Sequence, residues 1–259
     1  MNIHKTAIID KKARLAEDVQ IGPNTIIGSN VKIGSGCWIG PNCVLEGWTT
    51  LGKNNKVFTG AVLGSPPQDL KFKDAKTEVI IGDNNTIREY ITINPGTAQG
   101  ESTRIGNNNL LMAYTHIAHN CLISNNVVIA NAGTLAGHVV VEDNAIVGGL
   151  GAMHQFVRVG KYSIVGGCSK LIKDAPPFSM VDGHPARVYG LNVIGLRRAG
   201  FSAQTRALIK KAFKIIFRSG LRVSHAVDKV KQELELTPEI SYLCEFIEKS
   251  ERGLSRSSK

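Results

Sequence analysis

The chain has 259 residues, of which 42% are hydrophobic and 20% are charged. This length allows one sizeable core or two small ones, and the apolar content excludes a disordered chain. No apolar run approaches the roughly 18 residues of a membrane-spanning helix, and the first residues lack the apolar stretch of a secretory signal. A cytoplasmic protein without membrane insertion is therefore expected.

The net charge of +10 is distributed unevenly along the chain. Residues 191–259 contain 14 basic and 7 acidic side chains, whereas residues 1–190 contain 17 and 14. A basic terminal region can bind nucleic acid, an acidic protein or a phosphorylated ligand. The basic residues are spread over predicted helical faces without interleaved aromatic residues, which argues against a nucleic acid partner.

Only 6% of the residues are aromatic, whereas 27 are glycine, so the core must consist of aliphatic side chains in thin, repetitive layers. The five cysteines include no C-x-x-C pair, which fits neither a disulfide framework nor a zinc ribbon. We expect all five to be buried as small hydrophobic side chains: Cys37, Cys43, Cys121, Cys168 and Cys244.

A repeat of six residues organises the chain as far as Leu171. Stepping by six from Ile3 meets an aliphatic residue or Met at 26 of 29 positions. Glycine often follows this residue and Asn recurs three places after it, and both residues tolerate the positive φ angles of tight turns. Each hexad is therefore predicted to form a short strand with one inward side chain, followed by a corner. Three hexads complete a triangular coil of about 18 residues, so we predict a parallel β-helix over residues 1–190.

Two segments, residues 65–78 and 95–104, interrupt the repeat, and the six-residue phase returns after each. Both are polar, and loops that leave the wall of a regular solenoid often carry function. We therefore predict two insertion loops with a functional role.

Residues 191–259 have a helical pattern and are predicted to form a C-terminal α-helical domain. Its expected landmarks are an N-cap at Ser202, a C-terminal stop at Gly220, a second helix after Ser224 and a third from Pro238. Residues 255–259 are expected to form a frayed tail.

Histidines provide the candidates for chemistry. Residues one coil apart stack about 4.8 Å from each other, which is the spacing of paired strands. This stacking places several residues on one edge of three successive coils: His119, Gly137, His138, His154 and Gln155, with His116 beside them. A histidine can act as general base on a hydroxyl, and a neighbouring glycine amide can donate to a developing oxyanion. The pattern therefore suggests acyl transfer to an alcohol.

Other interpretations of the same residues stay open at this point. Clustered histidines also bind zinc, as in carbonic anhydrases of the hexapeptide fold, but those require three histidines that converge on one point. A non-catalytic β-helical scaffold would require neither the histidines nor the two loops. Asn120 occupies a position where Asn recurs for backbone reasons, so it indicates no site by itself.

Several strings together resemble the acyl carrier protein–UDP-N-acetylglucosamine O-acyltransferase family, which catalyses the first acylation of lipid A biosynthesis. They are SPPQDLKFKD, IGDNNTIREYITINPGT, NNLLMAYTHIAHNC, TLAGHV, MHQF, VGGCS and GLNVIGLRRAGFS. The resemblance implies a left-handed β-helix and a homotrimer with active sites in clefts between neighbouring subunits. It also implies transfer of a 3-hydroxyacyl chain from acyl carrier protein to the sugar 3-hydroxyl. No metal or diffusible cofactor is implied, because phosphopantetheine arrives on the carrier protein.

The family pattern also implies roles for individual residues. His119 matches the general base and Gly137 the oxyanion donor. Other residues match substrate-binding positions: Gln68, Asp69, Lys71, His116, His138, His154, Gln155, Asn192 and Arg198. Gly167 matches the position that sets acyl-chain length, where glycine leaves room for a longer chain.

The chain departs from the family pattern at three positions. Asn120 stands where many members have Asp after the catalytic histidine, and Asn cannot stabilise an imidazolium by charge. Ile194 and Ala199 stand where some members have Glu and a second Arg near the nucleotide. Transfer to the 3-amine of a UDP-diamino sugar is an alternative reaction that the residues leave open.

Overall fold

The computed structural model describes residues 2–255. Within this range the chain forms 28 strands followed by four helices. The strands are β1 (Asn2–Ile3), β2 (Ile8–Ile9), β3 (Arg14–Leu15), β4 (Gln20–Ile21), β5 (Ile26–Ile27), β6 (Lys32–Ile33), β7 (Trp38–Ile39), β8 (Val44–Leu45), β9 (Trp48–Leu51), β10 (Lys56–Val57), β11 (Val62–Leu63), β12 (Glu78–Ile81), β13 (Thr86–Ile87), β14 (Thr92–Ile93), β15 (Ser102–Ile105), β16 (Leu110–Leu111), β17 (His116–Ile117), β18 (Leu122–Ile123), β19 (Val128–Ile129), β20 (Thr134–Leu135), β21 (Val140–Val141), β22 (Ile146–Val147), β23 (Ala152–Met153), β24 (Arg158–Val159), β25 (Ile164–Val165), β26 (Lys170–Leu171), β27 (Ser179–Gly183) and β28 (Ala186–Leu191). The helices are α1 (Val193–Arg198), α2 (Ala203–Arg218), α3 (Val223–Glu233) and α4 (Pro238–Glu248).

Every third strand pairs in parallel, so successive coils build three sheets. The first sheet runs from β1 through β4 and β7 to β25, the second from β2 to β26, and the third from β3 to β24. The inward residues of the hexads are buried and stack in register, as Ile21 does on Ile39. The predicted parallel β-helix with one inward aliphatic residue per hexad is confirmed.

The corners between the sheets explain why Asn recurs in the repeat. Asn24 and Asn42 occupy the left-handed region, with φ of 56° and 57°. Asn tolerates this region better than most residues, because its short side chain forms local hydrogen bonds. The side-chain amide of Asn24 also donates to the side-chain oxygen of Asn42 one coil further on, at 3.4 Å.

The two insertions leave the hexad phase intact because each adds a multiple of six residues. Val57 pairs with Ile87 across the first insertion, and Ile87 pairs with Leu111 across the second. These separations exceed one regular coil, as between Ile21 and Ile39, by 12 and 6 residues.

Both insertion loops are shorter than predicted at their C-terminal ends. Glu78 and the segment Ser102–Arg104, expected in the loops, belong to strands β12 and β15, which pair with each other. These strands have two inward residues each, as Val79 and Ile81 show, instead of one per hexad. The sequence prediction assumed one inward residue per hexad, so it missed that these two strands have four residues instead of two.

The last coil ends in an arrangement that the sequence did not predict. β27 continues the first sheet, and β28 turns back to pair with it antiparallel. The short helix α1, capped by Asn192, follows directly and was also missed. A short helix lacks the periodic pattern by which longer helices are recognised.

The remaining helical landmarks agree with the sequence in all but one detail. Ser202 caps α2 by accepting from the Thr205 amide, and α4 begins with Pro238. Helix α3 was expected to follow Ser224, but it begins at Val223, so Ser224 lies within its first turn.

Two further predictions, the burial of the cysteines and the frayed C-terminal tail, are only partly correct. Cys168 is exposed, so the prediction that all five cysteines are buried is wrong for this residue and confirmed for the other four. Ser255 is buried, and its backbone N–H donates to the Asp174 carbonyl, so it does not belong to a frayed tail. The rest of the predicted tail, 256–259, lies outside the described residues.

A cluster of polar side chains connects the helical region to the last coils of the β-helix. The Arg158 guanidinium forms an ion pair with Glu142 at 2.8 Å and lies 4.2 Å from the centre of the Phe246 ring. The hydroxyl of Tyr242, in α4, donates to the Glu142 carboxylate. Asp174 accepts from the Arg158 amide at 2.8 Å and from the Ser250 hydroxyl at 2.6 Å. Burial raises the pKa of both carboxyl groups.

Candidate active site

One corner of the β-helix carries most of the candidate residues. We call the turns that link the second sheet to the third the histidine corner; they follow strands β11, β14, β17, β20 and β23. Both insertion loops leave the wall here, after β11 and after β14. The next three coils contribute His119, then Gly137 and His138, then His154 and Gln155. The loops and the histidines, which are separate features in the sequence, therefore share one edge of the molecule.

His119 lies against Gly137 as the coil spacing predicted. A Cβ atom built on Gly137 would lie 2.3 Å from Cε1 and 2.5 Å from Nε2 of the His119 ring. Real Cβ atoms do not approach other atoms so closely, so the imidazole occupies the space that any side chain at 137 would require. The backbone carbonyl of His119 accepts from the His138 amide at 3.0 Å, which holds the two coils in this register.

The proton on His119 is placed by its neighbour. His119 Nδ1 lies 2.9 Å from Asn120 Oδ1, and Asn120 Nδ2 donates to Glu101 Oε2 at 2.8 Å. An amide that donates to a carboxylate presents its oxygen to the imidazole, so Nδ1 must carry the proton. The lone pair of the neutral ring is then on Nε2, the nitrogen beside Gly137.

Two other histidines flank this ring as neutral groups. His116 Nδ1 lies 2.7 Å from the Thr92 hydroxyl. Burial lowers the pKa of His116, and positive charge on His119 lowers it further. His138 meets the His119 ring edge-on at 5.2 Å between ring centres and stacks on Phe156 at 4.6 Å. Its pKa is also lowered, first by burial and then by His119. Neither ring therefore adds positive charge beside His119 at neutral pH.

His154 and Gln155 lie one coil beyond Gly137, as predicted. Arg252, from the segment after α4, reaches this coil and donates to His154 Nδ1 at 3.1 Å. The same guanidinium nitrogen donates to the carbonyl of Ile172 at 3.3 Å. The C-terminal region therefore contacts the histidine corner directly.

The first insertion loop presents its candidates at the surface. Gln68 and Lys71 are exposed, and the Asp69 side chain accepts from the Lys71 amide at 2.8 Å, which forms a local turn. Leu70 between them is fully exposed. The loop therefore offers polar and apolar groups at the edge that also carries the histidines.

The structure does not bring three predicted residues to the histidine corner of the same chain. Gly167 lies on the corner between the first and second sheets, after β25. Asn192 is buried as the cap of α1; its side chain accepts from the Gly195 amide and donates to the Tyr162 carbonyl. Arg198 is exposed at the end of the same helix. Ile194, on α1, is exposed as well.

Sequence reasoning missed several residues that contact the candidate site. Glu101 and Thr97 belong to the second insertion loop, where the repeat no longer relates sequence position to location. Arg252 lies in the C-terminal segment, 98 residues from the histidine that it contacts. The only signal for Glu101 was an acidic residue in the loop directly before the coil of His119.

Among residues 2–255, no three His, Cys, Asp or Glu side chains are grouped so that they could hold a metal ion. No helix in this part of the chain is long and apolar enough to cross a membrane.

Comparison with known proteins decides the family. The chain is 52% identical, over 98% of its own length and 99% of the relative's, to a protein of Thermodesulfovibrio yellowstonii named acyl-[acyl-carrier-protein]–UDP-N-acetylglucosamine O-acyltransferase. The chain belongs to this family. A relative of the same name in Syntrophobacter fumaroxidans is 49% identical over 99% of this chain and 100% of its own.

Family models and solved structures agree with this assignment. A model described as UDP N-acetylglucosamine O-acyltransferase, domain 2, matches residues 174–255. Another, described as bacterial transferase hexapeptide (six repeats), matches residues 1–35, 30–65 and 102–132. The structure of LpxA from Acinetobacter baumannii superposes with a TM-score of 0.95 at 44% identity, covering 98% of this chain and 99% of the other.

Membership in the O-acyltransferase family makes the chain an acyltransferase. The predicted fold class, a left-handed β-helix of hexapeptide repeats followed by α-helices, is confirmed. The comparisons favour acyl transfer over the zinc carbonic anhydrase and scaffold alternatives.

Proposed function

We propose that the protein transfers a 3-hydroxyacyl chain from acyl carrier protein to the 3-hydroxyl of UDP-N-acetylglucosamine, the first step of lipid A biosynthesis. The observation that supports this reaction best is the pairing of His119 with Gly137. Nε2 of His119 holds the lone pair on the side of Gly137. Within residues 2–255, the Gly137 N–H has no hydrogen-bond acceptor. A base and an oxyanion donor thus lie side by side.

The reaction follows from these two groups. His119 Nε2 takes the proton of the sugar 3-hydroxyl while that oxygen attacks the thioester carbonyl carbon. The new C–O bond converts the carbonyl oxygen to an oxyanion, which the Gly137 N–H stabilises. The intermediate collapses by breaking the C–S bond, and the leaving thiolate takes the proton from the imidazolium. The products are the 3-O-acyl sugar nucleotide and the free phosphopantetheine thiol of the carrier protein.

We assign substrate contacts to the other groups at the histidine corner. His116 and His138, whose pKa values are lowered by burial, present ring nitrogens that can bond sugar hydroxyls without adding positive charge beside the base. His154 presents a further ring nitrogen at the same edge. Gln68, Asp69, Lys71 and Gln155 supply further polar groups at the same edge. Asn192 and Arg198 are assigned to the nucleotide; the Asn192 side chain already caps α1, so its role would be to hold that helix in position.

A homotrimer would complete the site. The corner between the first and second sheets exposes Tyr90, Tyr114 and Leu150 by 51%, 63% and 65%, although they are large apolar side chains. Gly167 lies on the same corner. If this corner packs against the histidine corner of the next copy, the apolar residues become buried and Gly167 comes close to the acyl chain. Such a head-to-tail contact closes as a ring of three around triangular prisms.

The helical region offers a docking surface for acyl carrier protein. A groove of about 460 Å³ lies between β28 and α2, with Val188, Val193 and Phe213 among its apolar lining residues. Lys210, Lys211, Lys214 and Arg218 line the same groove. Acyl carrier proteins are acidic, so a basic surface on α2 would steer them by charge complementarity. We expect no resident cofactor, since phosphopantetheine arrives on the carrier, and we expect the reaction to take place in the cytoplasm.

Incubation of the purified protein with 3-hydroxyacyl carrier protein and UDP-N-acetylglucosamine tests the proposal. The expected product is a 3-O-ester, identified by mass spectrometry and by its loss in mild alkali. A parallel reaction with the UDP-sugar that carries a 3-amine tests the alternative acceptor. An alkali-stable amide as the preferred product would overturn the assignment to the hydroxyl.

A further inference from the structure

Glu101 connects the second insertion loop to the candidate base. Its Oε2 accepts from Asn120 Nδ2 at 2.8 Å, and Asn120 Oδ1 lies 2.9 Å from His119 Nδ1. The three side chains therefore form a chain of hydrogen bonds that ends at the imidazole. Glu101 itself contributes no atom to the pairing of His119 with Gly137.

We propose that Glu101 is a positioning residue that locks the Asn120 amide, and through it the tautomer of His119. The inference rests on the function proposed above, in which His119 Nε2 is the base. Glu101 also places a carboxylate behind Asn120, whose uncharged amide cannot itself stabilise an imidazolium by charge.

The locking follows from the two orientations available to the amide. In the observed one, Nδ2 faces the Glu101 carboxylate and Oδ1 faces the imidazole. Rotation by 180° would place Oδ1 against the carboxylate, so that two acceptors face each other. It would also turn Nδ2 towards His119 Nδ1, which would move the ring proton to Nε2. A ring protonated at Nε2 cannot take the sugar proton, so the carboxylate excludes the unproductive arrangement.

The loop is built so that Glu101 stays in this position as an anion. The same Oε2 accepts from the Ala98 amide at 2.9 Å and from the Thr97 amide at 3.2 Å. The Thr97 hydroxyl lies 3.2 Å from both Glu101 Oε2 and Asn120 Oδ1. The hydrogen bond from Asn120 lowers the pKa of Glu101, and the one from the Ala98 amide lowers it further. Partners that orient a metal-bound histidine typically change activity 10- to 100-fold when they are removed, and we expect a similar magnitude for a partner that orients a histidine base.

A double-mutant cycle with Glu101→Gln and Asn120→Asp separates this role from simple support of the loop. Alone, Glu101→Gln should lower kcat about 10-fold or more with little change in KM, because Gln can bond the amide in either orientation. Alone, Asn120→Asp should also lower kcat, because two carboxylates then face each other across the present 2.8 Å contact. Combined, the changes place one carboxylate directly on His119, and kcat should return to within about threefold of wild type.

The direction in which Glu101→Gln changes kcat in the Asn120→Asp protein distinguishes a positioning role from simple support of the loop. Glu101→Gln must impair the wild type and improve the Asn120→Asp protein; a loop-support role would impair both. Additive losses would therefore overturn the positioning role. Glu78→Gln, the same charge change on the strand paired with Ser102, is the matched control and should leave kcat unchanged. Nitrogen NMR of labelled histidine adds a spectroscopic readout: His119 should carry its proton on Nδ1 in the wild type and show both tautomers in Glu101→Gln.

Failure of the proposed function gives a different result. If His119→Ala keeps wild-type activity, the base assignment itself is wrong. If His119→Ala is inactive and the cycle is additive, only the role of Glu101 is wrong.

Discussion

The imidazole of His119 occupies the space that a Cβ at position 137 would fill, at 2.3 Å from the ring. Only glycine at 137 therefore leaves room for the His119 ring in its observed position. This steric role is separate from any role of the Gly137 amide. A substitution that keeps the amide but adds one methyl group separates the two contributions.

We predict that Gly137→Ala lowers kcat about 100-fold or more. The added methyl group must displace the imidazole, and an error of this size in the position of a catalytic group commonly costs about two orders of magnitude. Steady-state kinetics check the value, with Gly28→Ala as control. A Cβ at Gly28 would lie 3.3 Å from its nearest neighbour, the Glu46 Cα, which would have to move by only a few tenths of an ångström. Unchanged kcat in Gly137→Ala would contradict the observed placement of the ring.

We predict that stability falls as the pH falls through the range of histidine titration. Burial lowers the pKa of His116 and of His138, so the unfolded state binds protons more readily than the folded state. The contribution is complete above the unfolded pKa of about 6.5 and is lost as the pH falls towards the lower folded values. Denaturant titrations at pH 7.5 and 5.5 measure the difference. His116→Gln should reduce it; an equal slope in wild type and variant would contradict the assignment.

We predict that Arg158→Met lowers the free energy of unfolding by about 2 kcal/mol at pH 7.5, because it removes the ion-pair partner of the half-buried Glu142 carboxylate. The pKa of Glu142 is raised by burial, so the loss should shrink at lower pH as the carboxyl group takes up a proton. Thermal or denaturant unfolding provides the measurement. Lys249→Met removes the exposed ion pair with Glu245 and should change stability by less than about 1 kcal/mol. Equal effects of the two variants would contradict the stabilising role of the polar cluster around Arg158.

We predict that reversing charge on α2 weakens binding of the acyl donor. Lys210→Glu combined with Lys214→Glu should raise the KM for acyl carrier protein about 10-fold and leave kcat unchanged, since both residues line the groove and lie outside the histidine corner. A short acyl-pantetheine thioester, which lacks the carrier protein, should react equally with both proteins. If the variant loses activity with the short donor as well, α2 has another role.

The repeat made most of the fold and the centre of the site predictable. A period of six with one inward residue fixes which residues stack, so the contact between His119 and Gly137 follows from their spacing alone. Glu101 could not be placed, because an insertion loop leaves the repeat and its position depends on contacts such as those with Thr97. The antiparallel return of β28 was equally hidden, since it ends the repeat instead of extending it.

The sequence also could not predict contacts between residues that lie on different corners of the β-helix. The family resemblance predicts that Gly167 and His119 serve one site, yet they lie on different corners of the same chain. The repeat relates residues of one chain to each other. A contact between Gly167 and a second copy of the chain, as proposed above, does not follow from it.

The most direct test of the account is turnover of UDP-N-acetylglucosamine by 3-hydroxyacyl carrier protein in wild type and in His119→Ala. Loss of the general base should lower kcat by about 100- to 10,000-fold. His4→Ala, an exposed histidine in the first coil, is the matched control and should behave as wild type. Ester formation that depends on His119 in this way is the predicted result; a His119→Ala protein within threefold of wild type would contradict the account.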